Sequence, residues 1–428
     1  MFERGIAVIG LGYIGLPTSA AIGMQGVLVR GVDTNPATVE AINRGRVPIV
    51  EPDLDVAVAG AHARGNLVAT LEVPNADAFL IAVPTPFTEG HLPDLSYVRA
   101  AAEAIAPRLR GGEVVILEST SPPGTTRMVC EWIAAARPDL KLPHEAPDHP
   151  DVHIAHCPER VLPGRIMIEL VTNDRVVGGI TPECARRAAQ VYALFCKGEI
   201  LLADAESAEM AKLVENSFRD VNIAFANELA AVSEHMGLDV WEVIRLANKH
   251  PRVNVLAPGP GVGGHCIAVD PWFIVAAAPE QARLIRTARE INDARPLAVV
   301  DATSAATPEG GTVACLGLAF KANVDDLRES PSVDVVRMLA ASRPDVQILA
   351  VEPHVSSLPS ELQDVTNVRL ADAVEAVNRS DTAVLLVDHR AFKALDPVLL
   401  ATKSLIDTRG MWRDLTPDSR GLNPKAIS

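Results

Sequence analysis

The chain has 428 residues, 48% hydrophobic and 22% charged, enough for two to four domains with real cores at roughly 100–200 residues each. With 39 Lys and Arg against 54 Asp and Glu, it carries a formal charge of −15. That disfavours nucleic acid and anionic membranes as partners, and a phosphorylated ligand would need a local cluster of cations or helix N-termini.

Six scattered cysteines, none spaced as Cys-x-x-Cys, disfavour structural zinc and a disulfide framework. No metal is expected, and a reducing cytoplasm fits best.

Residues 5–29 are uncharged and follow Arg4, the outline of a membrane span or signal peptide. Six glycines, Pro17 and short apolar runs favour a strand, a glycine turn and a helix start instead. Ile6–Ile9, Val27–Val32, Ala78–Val83 and Val114–Glu118 read as strands, each followed by a turn and a helical pattern. This βαβ rhythm predicts a parallel sheet.

The first turn reads Gly10-Leu-Gly12-Tyr13-Ile14-Gly15. Glycines there permit a tight turn, close approach of a pyrophosphate and close helix–strand packing, with the phosphates at the helix N-terminus. Asp33 ends the second strand 18 residues after Gly15, where a carboxylate binds ribose hydroxyls. Thr34, Asn35 and Pro36 supply no Arg for a 2′-phosphate, so NAD is expected rather than NADP. Turns at Pro84-Thr85-Pro86 and Ser119-Thr120-Ser121-Pro122 sit at strand ends, where they serve the nicotinamide ribose or are ordinary turns.

From Asp204 to Met236 no Gly or Pro interrupts a run rich in Ala, Glu and Leu, which predicts one long helix ended by Gly237. A shorter helix is expected over Val240–Lys249. Lys212, Asn216 and Arg219 fall on one face of the long helix; taken alone, such a stripe is more often a solvated surface. Next comes Pro258-Gly-Pro-Gly-Val-Gly263-Gly-His-Cys266, with Asp270 four residues on. Glycines suit close backbone approach to a ligand, and a cysteine beside them with His265 nearby reads as a reactive thiol rather than core filler.

Thr312–Leu316, Val346–Val351, Thr382–Val387 and Ser404–Ile406 restore the βαβ rhythm. The tail after Trp412 is polar and expected to be loose. The fold class is therefore α/β: two Rossmann-like doubly wound domains (1–203 and 301–428) joined by a central helical domain (204–300) with one long helix.

These pieces resemble the UDP-sugar 6-dehydrogenases, the UDP-glucose/UDP-N-acetylmannosamine dehydrogenase family. The resemblance runs from Gly5 to about Arg413. It is carried by GLGYIGLPT (10–18), AVPTPF (82–87), ESTSPPGTT (118–126), CPERVLPG (157–164), KLVENSFRDVN (212–222), GVGGHCIAVDP (261–271) and FKANVDDLRESP (320–331). It implies an N-terminal NAD domain, a central domain that makes a homodimer, and a C-terminal UDP domain.

By position, the resemblance makes Cys266 the nucleophile, gives proton and water handling to Lys212, Asn216 and Asp270, and places Glu159 near thioester hydrolysis. Arg160, Val161, Lys212, Asn216, Arg219, His250, Arg252, Gly263, Phe320, Lys321 and Arg409 would line the sugar-nucleotide site. Thr85, Thr120, Thr126 and Arg328 would join the glycine turn around NAD. Arg409 stands where the family often has Lys, and Pro123 where Val is commoner.

The implied reaction is a four-electron oxidation. An aldehyde carries no hydride donor carbon in the right state until a nucleophile adds; a Cys266 thiohemiacetal, oxidised to a thioester and hydrolysed, supplies the second step. Lys212 either stabilises the alkoxide or acts as base. Pro158-Glu159-Arg160-Val161, Arg219-Asp220-Val221-Asn222 and His250-Pro251-Arg252-Val253 are similar to the UDP-N-acetylmannosamine dehydrogenases, with UDP-glucose as the nearest rival substrate. That would make the product a precursor of bacterial surface polysaccharide.

A short-chain epimerase is excluded, because none of Tyr13, Tyr97 and Tyr192 has a Lys four residues on. A non-catalytic nucleotide-sugar sensor would have been free to lose Cys266, Lys212 or Asp270, and all three are present.

Overall fold

The computed structural model describes residues 2–49, 51–88, 90–264 and 267–413. His265, Cys266 and the tail beyond Arg413 lie outside these residues. The described chain forms two units, one up to Glu215 with Ala276–Ala278, the other Asn216–Val275 with the residues from Pro279 onward.

Short strands rich in Val, Ile, Leu and Ala pair well in a sheet whose central strands are covered on both faces. In the first unit these are β1 (Ile6–Ile9), β2 (Val29–Val32), β3 (Leu67–Thr70), β4 (Ala78–Ile81), β5 (Val114–Leu117), β6 (His153–His156), β7 (Arg175–Gly179) and β8 (Ile200–Asp204), ordered β3-β2-β1-β4-β5-β6-β7-β8. All pairings are parallel except β6 with β7. Alternation along β1 sends Ile6 and Val8 to one core and Ala7 and Ile9 to the other. Strand order reverses between β1 and β4, and ligands of open α/β sheets bind beyond the carboxyl ends at such a point.

In the second unit, β9 (Thr312–Leu316), β10 (Gln347–Val351), β11 (Val368–Leu370), β12 (Thr382–Leu385) and β13 (Ser404–Asp407) form an all-parallel sheet ordered β11-β10-β9-β12-β13. Its switch point lies between β9 and β12. The two Rossmann-like sheets and the helical central region are those expected. The eight predicted strands are all present, mostly a residue or two shorter. The reading missed β3, β6, β7, β8 and β11.

The long helix runs Ala205–His235. Asp204 starts it by accepting from the Ser207 amide (2.8 Å) and hydroxyl (2.7 Å), as an N-cap acid does. Gly237, at φ 68°, ends it, and Leu238 N–H returns to Ser233 O at 2.8 Å, closing a Schellman turn. A helix over Arg283–Ala306 was not anticipated; it carries Pro296 in its interior.

The two long helices meet in the second unit through buried polar groups. Arg289 and Asp220 are both fully buried and paired at 2.5 Å. Asn292 Nδ2 donates to Asp220 Oδ1 (2.8 Å) and its carbonyl (3.0 Å), and Arg289 also reaches Asp293. Burial pushes the Asp220 carboxyl up to about 6 against the pull of Arg289.

Breaking a buried ion pair from one side strands the other charge, at about 3–5 kcal/mol. Arg289→Leu should lower the unfolding free energy of this unit by about that much in denaturant titration, and adding Asp220→Leu should recover part of the loss. An unchanged midpoint for Arg289→Leu would mean that the pair does not join the helices.

Candidate active site

The sequence places three glycines after β1, and the backbone gives a reason for each. Gly10 stands at φ 93°, and a Cβ on it would lie 2.4 Å from the Ala82 carbonyl. A Cβ on Gly15 would lie 1.8 Å from the Gly10 carbonyl. Gly12 is exposed and meets nothing within 4 Å, so its side is open to close approach. The Gly15–Met24 helix starts at Ile14 without a side-chain cap. Its first amides are therefore not taken by a cap, as an anion site requires.

Asp33 accepts from Leu11 N (3.0 Å) and Asn35 N (2.9 Å). It braces the glycine turn while staying partly exposed at the end of β2. The cradle fits a dinucleotide with free ribose hydroxyls. Tyr13 and Ile14 are half-buried on the same turn.

The two later turns come together, with Thr85 Oγ1 donating to the Thr120 carbonyl at 2.6 Å. Ser119, the first residue of the second turn, ties it to the Val83 carbonyl at 2.7 Å. Thr126 is fully buried. Its amide and hydroxyl both donate to Glu209 Oε1, at 2.7 and 2.6 Å, while Gly124 N–H donates to Oε2. Burial pushes the Glu209 carboxyl up to about 7 despite these bonds. Arg328 belongs to the second unit, where it forks onto Asp326 at 2.9 and 2.6 Å.

Glu159 follows β6 and is held from two sides: Arg160 N–H donates at 2.8 Å and the Arg175 guanidinium at 3.2 Å. Arg175, itself buried, stacks 4.9 Å from the Tyr192 ring centre and 5.2 Å from that of Phe195. Tyr192 Oη donates to Glu118 at 2.8 Å, and the other Glu118 oxygen has no partner among the described residues. Of these two buried carboxyls, Glu159 bonds the Arg175 guanidinium, and Glu118 is held by Tyr192. Burial, then Glu159, pushes Glu118 up to about 7.

The loop after Glu159 is pinned by Glu51, which accepts from Gly164 N (2.9 Å) and Ile166 N (2.8 Å). Arg160 pairs with Glu215 at 2.6 Å, and Val161 packs on the first core.

Lys212 is half-buried one turn before Asn216 on the long helix. In the second unit, Asn216 Nδ2 donates to the buried Asp270 carboxylate at 2.5 Å. The expected stripe therefore turns inward at Asn216, while Arg219 is exposed.

The glycine-rich run packs on the loop after β9. A Cβ on Gly263 would lie 2.4 Å from the Glu329 carbonyl and 3.3 Å from Phe320 Cβ; Gly264 N–H donates to the same carbonyl at 3.2 Å. Arg409 bonds Asp388 at 3.1 Å and lies against Gly259. Lys321, His250 and Arg252 are exposed, with Arg252 N–H donating to His250 Nδ1 at 3.3 Å. Burial pushes the Cys157 and Cys315 thiols up to about 12, which leaves both as inert protonated groups.

A glycine turn of the dinucleotide-binding type on one doubly wound sheet, a second such sheet and a central helical region define the class, an NAD-dependent dehydrogenase. The chain belongs to the UDP-glucose/GDP-mannose dehydrogenase family: the NAD binding domain of that family matches residues 4–196, its central domain 206–294 and its UDP binding domain 314–414.

Over 411 residues it is 55% identical to an NDP-N-acetyl-D-galactosaminuronic acid dehydrogenase of Ralstonia nicotianae, covering 96% of each chain. It is 53% identical over 418 residues to the UDP-N-acetyl-D-mannosamine dehydrogenase of Yersinia pestis, covering 95% of this chain and 99% of the other. The solved UDP-D-ManNAc dehydrogenase of Pyrococcus horikoshii superposes with a TM-score of 0.83 at 37% identity, over 95% of each chain. No helix among the described residues is long and apolar enough to cross a membrane.

The Glu118 carboxyl holds its proton more tightly folded than unfolded. Its stabilising contribution is full below the unfolded carboxyl value and is lost as pH rises through about 7. Glu118→Gln keeps an acceptor for Tyr192 and cannot ionise. Its unfolding free energy should match the parent near pH 4 and exceed it by pH 8, by on the order of 3 kcal/mol. A difference that does not change with pH would mean Glu118 does not titrate in this range.

Proposed function

We propose that the protein oxidises C6 of UDP-N-acetyl-D-mannosamine to the carboxylate, giving UDP-N-acetyl-D-mannosaminuronate. One sugar, one water and two NAD yield one carboxylate, two NADH and three protons. Held at the glycine turn, NAD would supply the hydride acceptor for each of the two oxidations.

The observation that carries this reading is the Asn216–Asp270 bond. It ties the polar stripe of the long helix to the segment bearing Cys266, four residues before Asp270. In this reading the Cys266 thiolate adds to the aldehyde carbon, so that C6 again carries a hydride to lose, and water releases the resulting thioester. Asn216 and Asp270 orient that water and move its proton. Lys212 steadies the alkoxide or takes its proton, and Glu159 assists hydrolysis.

The glycine turn (Gly10, Gly12, Tyr13, Ile14, Gly15), Asp33, Thr85, Thr120, Thr126 and Arg328 belong to the NAD site in this reading. Arg160, Val161, Arg219, His250, Arg252, Gly263, Phe320, Lys321 and Arg409 belong to the sugar-nucleotide site.

The name of the Ralstonia relative favours a second sugar, an N-acetylgalactosamine nucleotide, which differs from the mannosamine compound at C2 and C4. The chemistry at C6 would be the same.

A homodimer belongs to the proposal. Phe218, Phe225 and Val232 lie seven residues apart on the long helix and are 70, 56 and 47% exposed, the spacing of one unpartnered apolar face. A cytoplasmic setting accords with the five free cysteines among the described residues.

NADH should be counted against limiting UDP-N-acetylmannosamine, UDP-N-acetylgalactosamine, UDP-N-acetylglucosamine and UDP-glucose in turn. Two NADH per UDP-N-acetylmannosamine, with little from the others, is expected. Two from another sugar keeps the chemistry and replaces the substrate, and one per sugar removes the role given to Cys266. Asp270→Asn should lower kcat by about 10²–10⁴ with the sugar KM little changed.

A further inference from the structure

Loops at the carboxyl ends of β9, β10 and β12 surround the switch point of the second sheet, where ligands of such sheets bind. The loop leaving β9 contains Phe320 and Lys321. Its backbone is held by two fully packed side chains from the neighbouring strands.

Glu352, one residue past β10, accepts at Oε2 from Leu318 N (2.8 Å), Ala319 N (3.0 Å) and His389 Nε2 (3.0 Å). Its Oε1 accepts from His354 N (3.2 Å). His389, four residues past β12, accepts the Asn323 N–H at Nδ1 at 3.0 Å. A backbone N–H can only donate, so Nδ1 is bare and the single ring proton sits on Nε2, facing the carboxylate. Asn323 stands at φ 62° and accepts from Arg390 N at 2.9 Å. Burial pushes the Glu352 carboxyl up, but the bonds from His389, Leu318 and Ala319 outweigh it and hold it below its usual value.

We infer that Glu352, His389 and Asn323 are positioning residues for uridine-diphosphate recognition, a clamp that fixes the Leu318–Asn323 loop in its ligand-binding shape. This rests on the reading that Phe320 and Lys321 contact the nucleotide sugar.

Two features separate a clamp from generic core. First, its bonds end on the backbone at both ends of one short loop, at residues 318, 319 and 323. Second, it crosses the switch point, tying the β9 loop to both flanking strands. The ligand atoms of Glu352, His354 and His389 lie within 4.8 Å of one another, a spacing that would also suit a metal. Both ring nitrogens of His389 and the inner Glu352 oxygen are already spent on hydrogen bonds, so Glu352 and His389 serve the clamp rather than a metal. Asn323 is exposed, so changing it probes the loop without opening the core.

The test uses the full chain, with UDP alone as the calorimetric probe and steady-state kinetics beside it. His389→Leu should weaken UDP binding and raise the sugar-nucleotide KM by about 10-fold, roughly the effect of one lost hydrogen bond to a constrained loop. Its kcat should stay within about 3-fold, with NAD binding unchanged. Asn323→Gly, which keeps the positive φ, should bind UDP better than Asn323→Ala, which does not.

Equal UDP affinity for Asn323→Gly and Asn323→Ala, or parent-like UDP affinity in His389→Leu with NAD binding retained, would overturn the clamp alone. If the unaltered protein fails to bind UDP, the nucleotide-sugar reading falls and takes the clamp with it.

Discussion

The second unit depends on one awkward interaction, the ion pair of Asp220 and Arg289 buried between two long helices. Removing both charges from water is expensive, and the pair returns that energy only with good geometry and satisfied neighbours. Here the neighbours are Asn292 and then Asn227, whose Oδ1 accepts from Gly259 N–H at 2.9 Å, while Arg295 donates to the Gly259 carbonyl at 3.3 Å. The polar ladder thus ends on the start of the glycine-rich run. That run in turn packs Gly263 against Glu329 and Phe320, and Asp270 beyond it meets Asn216. An apolar helix contact would hold the helices as firmly but would leave the run without a hydrogen-bonded anchor. The specific geometry of the proposed site follows from the polar choice.

The strongly acidic background acts in another way, within each unit. Most guanidiniums expected to meet a diphosphate are already engaged within their own unit: Arg160 with Glu215, Arg328 with Asp326, Arg409 with Asp388. These pairs are partly exposed and contribute little to stability. They do keep each cation oriented. A diphosphate offers a denser negative charge than a lone carboxylate, so it can share or replace that partner at small cost. Arg175 differs, because its pairing with Glu159 is buried between aromatic rings and cannot be exchanged in this way.

What was legible in the sequence follows from range. Strand–turn–helix rhythm is local, and it gave β1, β2, β4 and β5 and the glycine turn nearly to the residue. Strand β6 was missed because His153 and His156 sit in a buried run and break its apolar pattern. The Arg283–Ala306 helix was missed because Pro296 interrupts its interior. The groups that brace the site are joined across 34 to 83 residues: Glu209 to Thr126, Tyr192 to Glu118, Glu352 to Leu318. No spacing rule reaches that far. Thr126 shows the reverse difficulty. Its motif points to the cofactor, and only the fold reveals that its hydroxyl also bonds an acid on another helix.

The long helix explains why periodicity was a weak guide to its own stripe. Lys212, Asn216 and Asp220 follow one another by four residues and turn progressively inward, from half-buried to fully buried. Phe218, Phe225 and Val232 fall on the opposite side and stay exposed. The usual arrangement, apolar toward the core and polar toward solvent, is therefore reversed along this stretch. Read alone, a Lys–Asn–Arg stripe is a solvated face, and on most helices that reading wins. Two conditions reverse it here. The inward polar groups need fixed partners, which Asp270, Arg289 and Asn292 provide, and the outward apolar groups need a cover, which the proposed dimer would provide. A helix meeting only the first condition would expose three large apolar side chains to water at a standing cost in solubility. The inverted pattern is thus itself a reason to expect both a chemical site on one face and a second chain on the other.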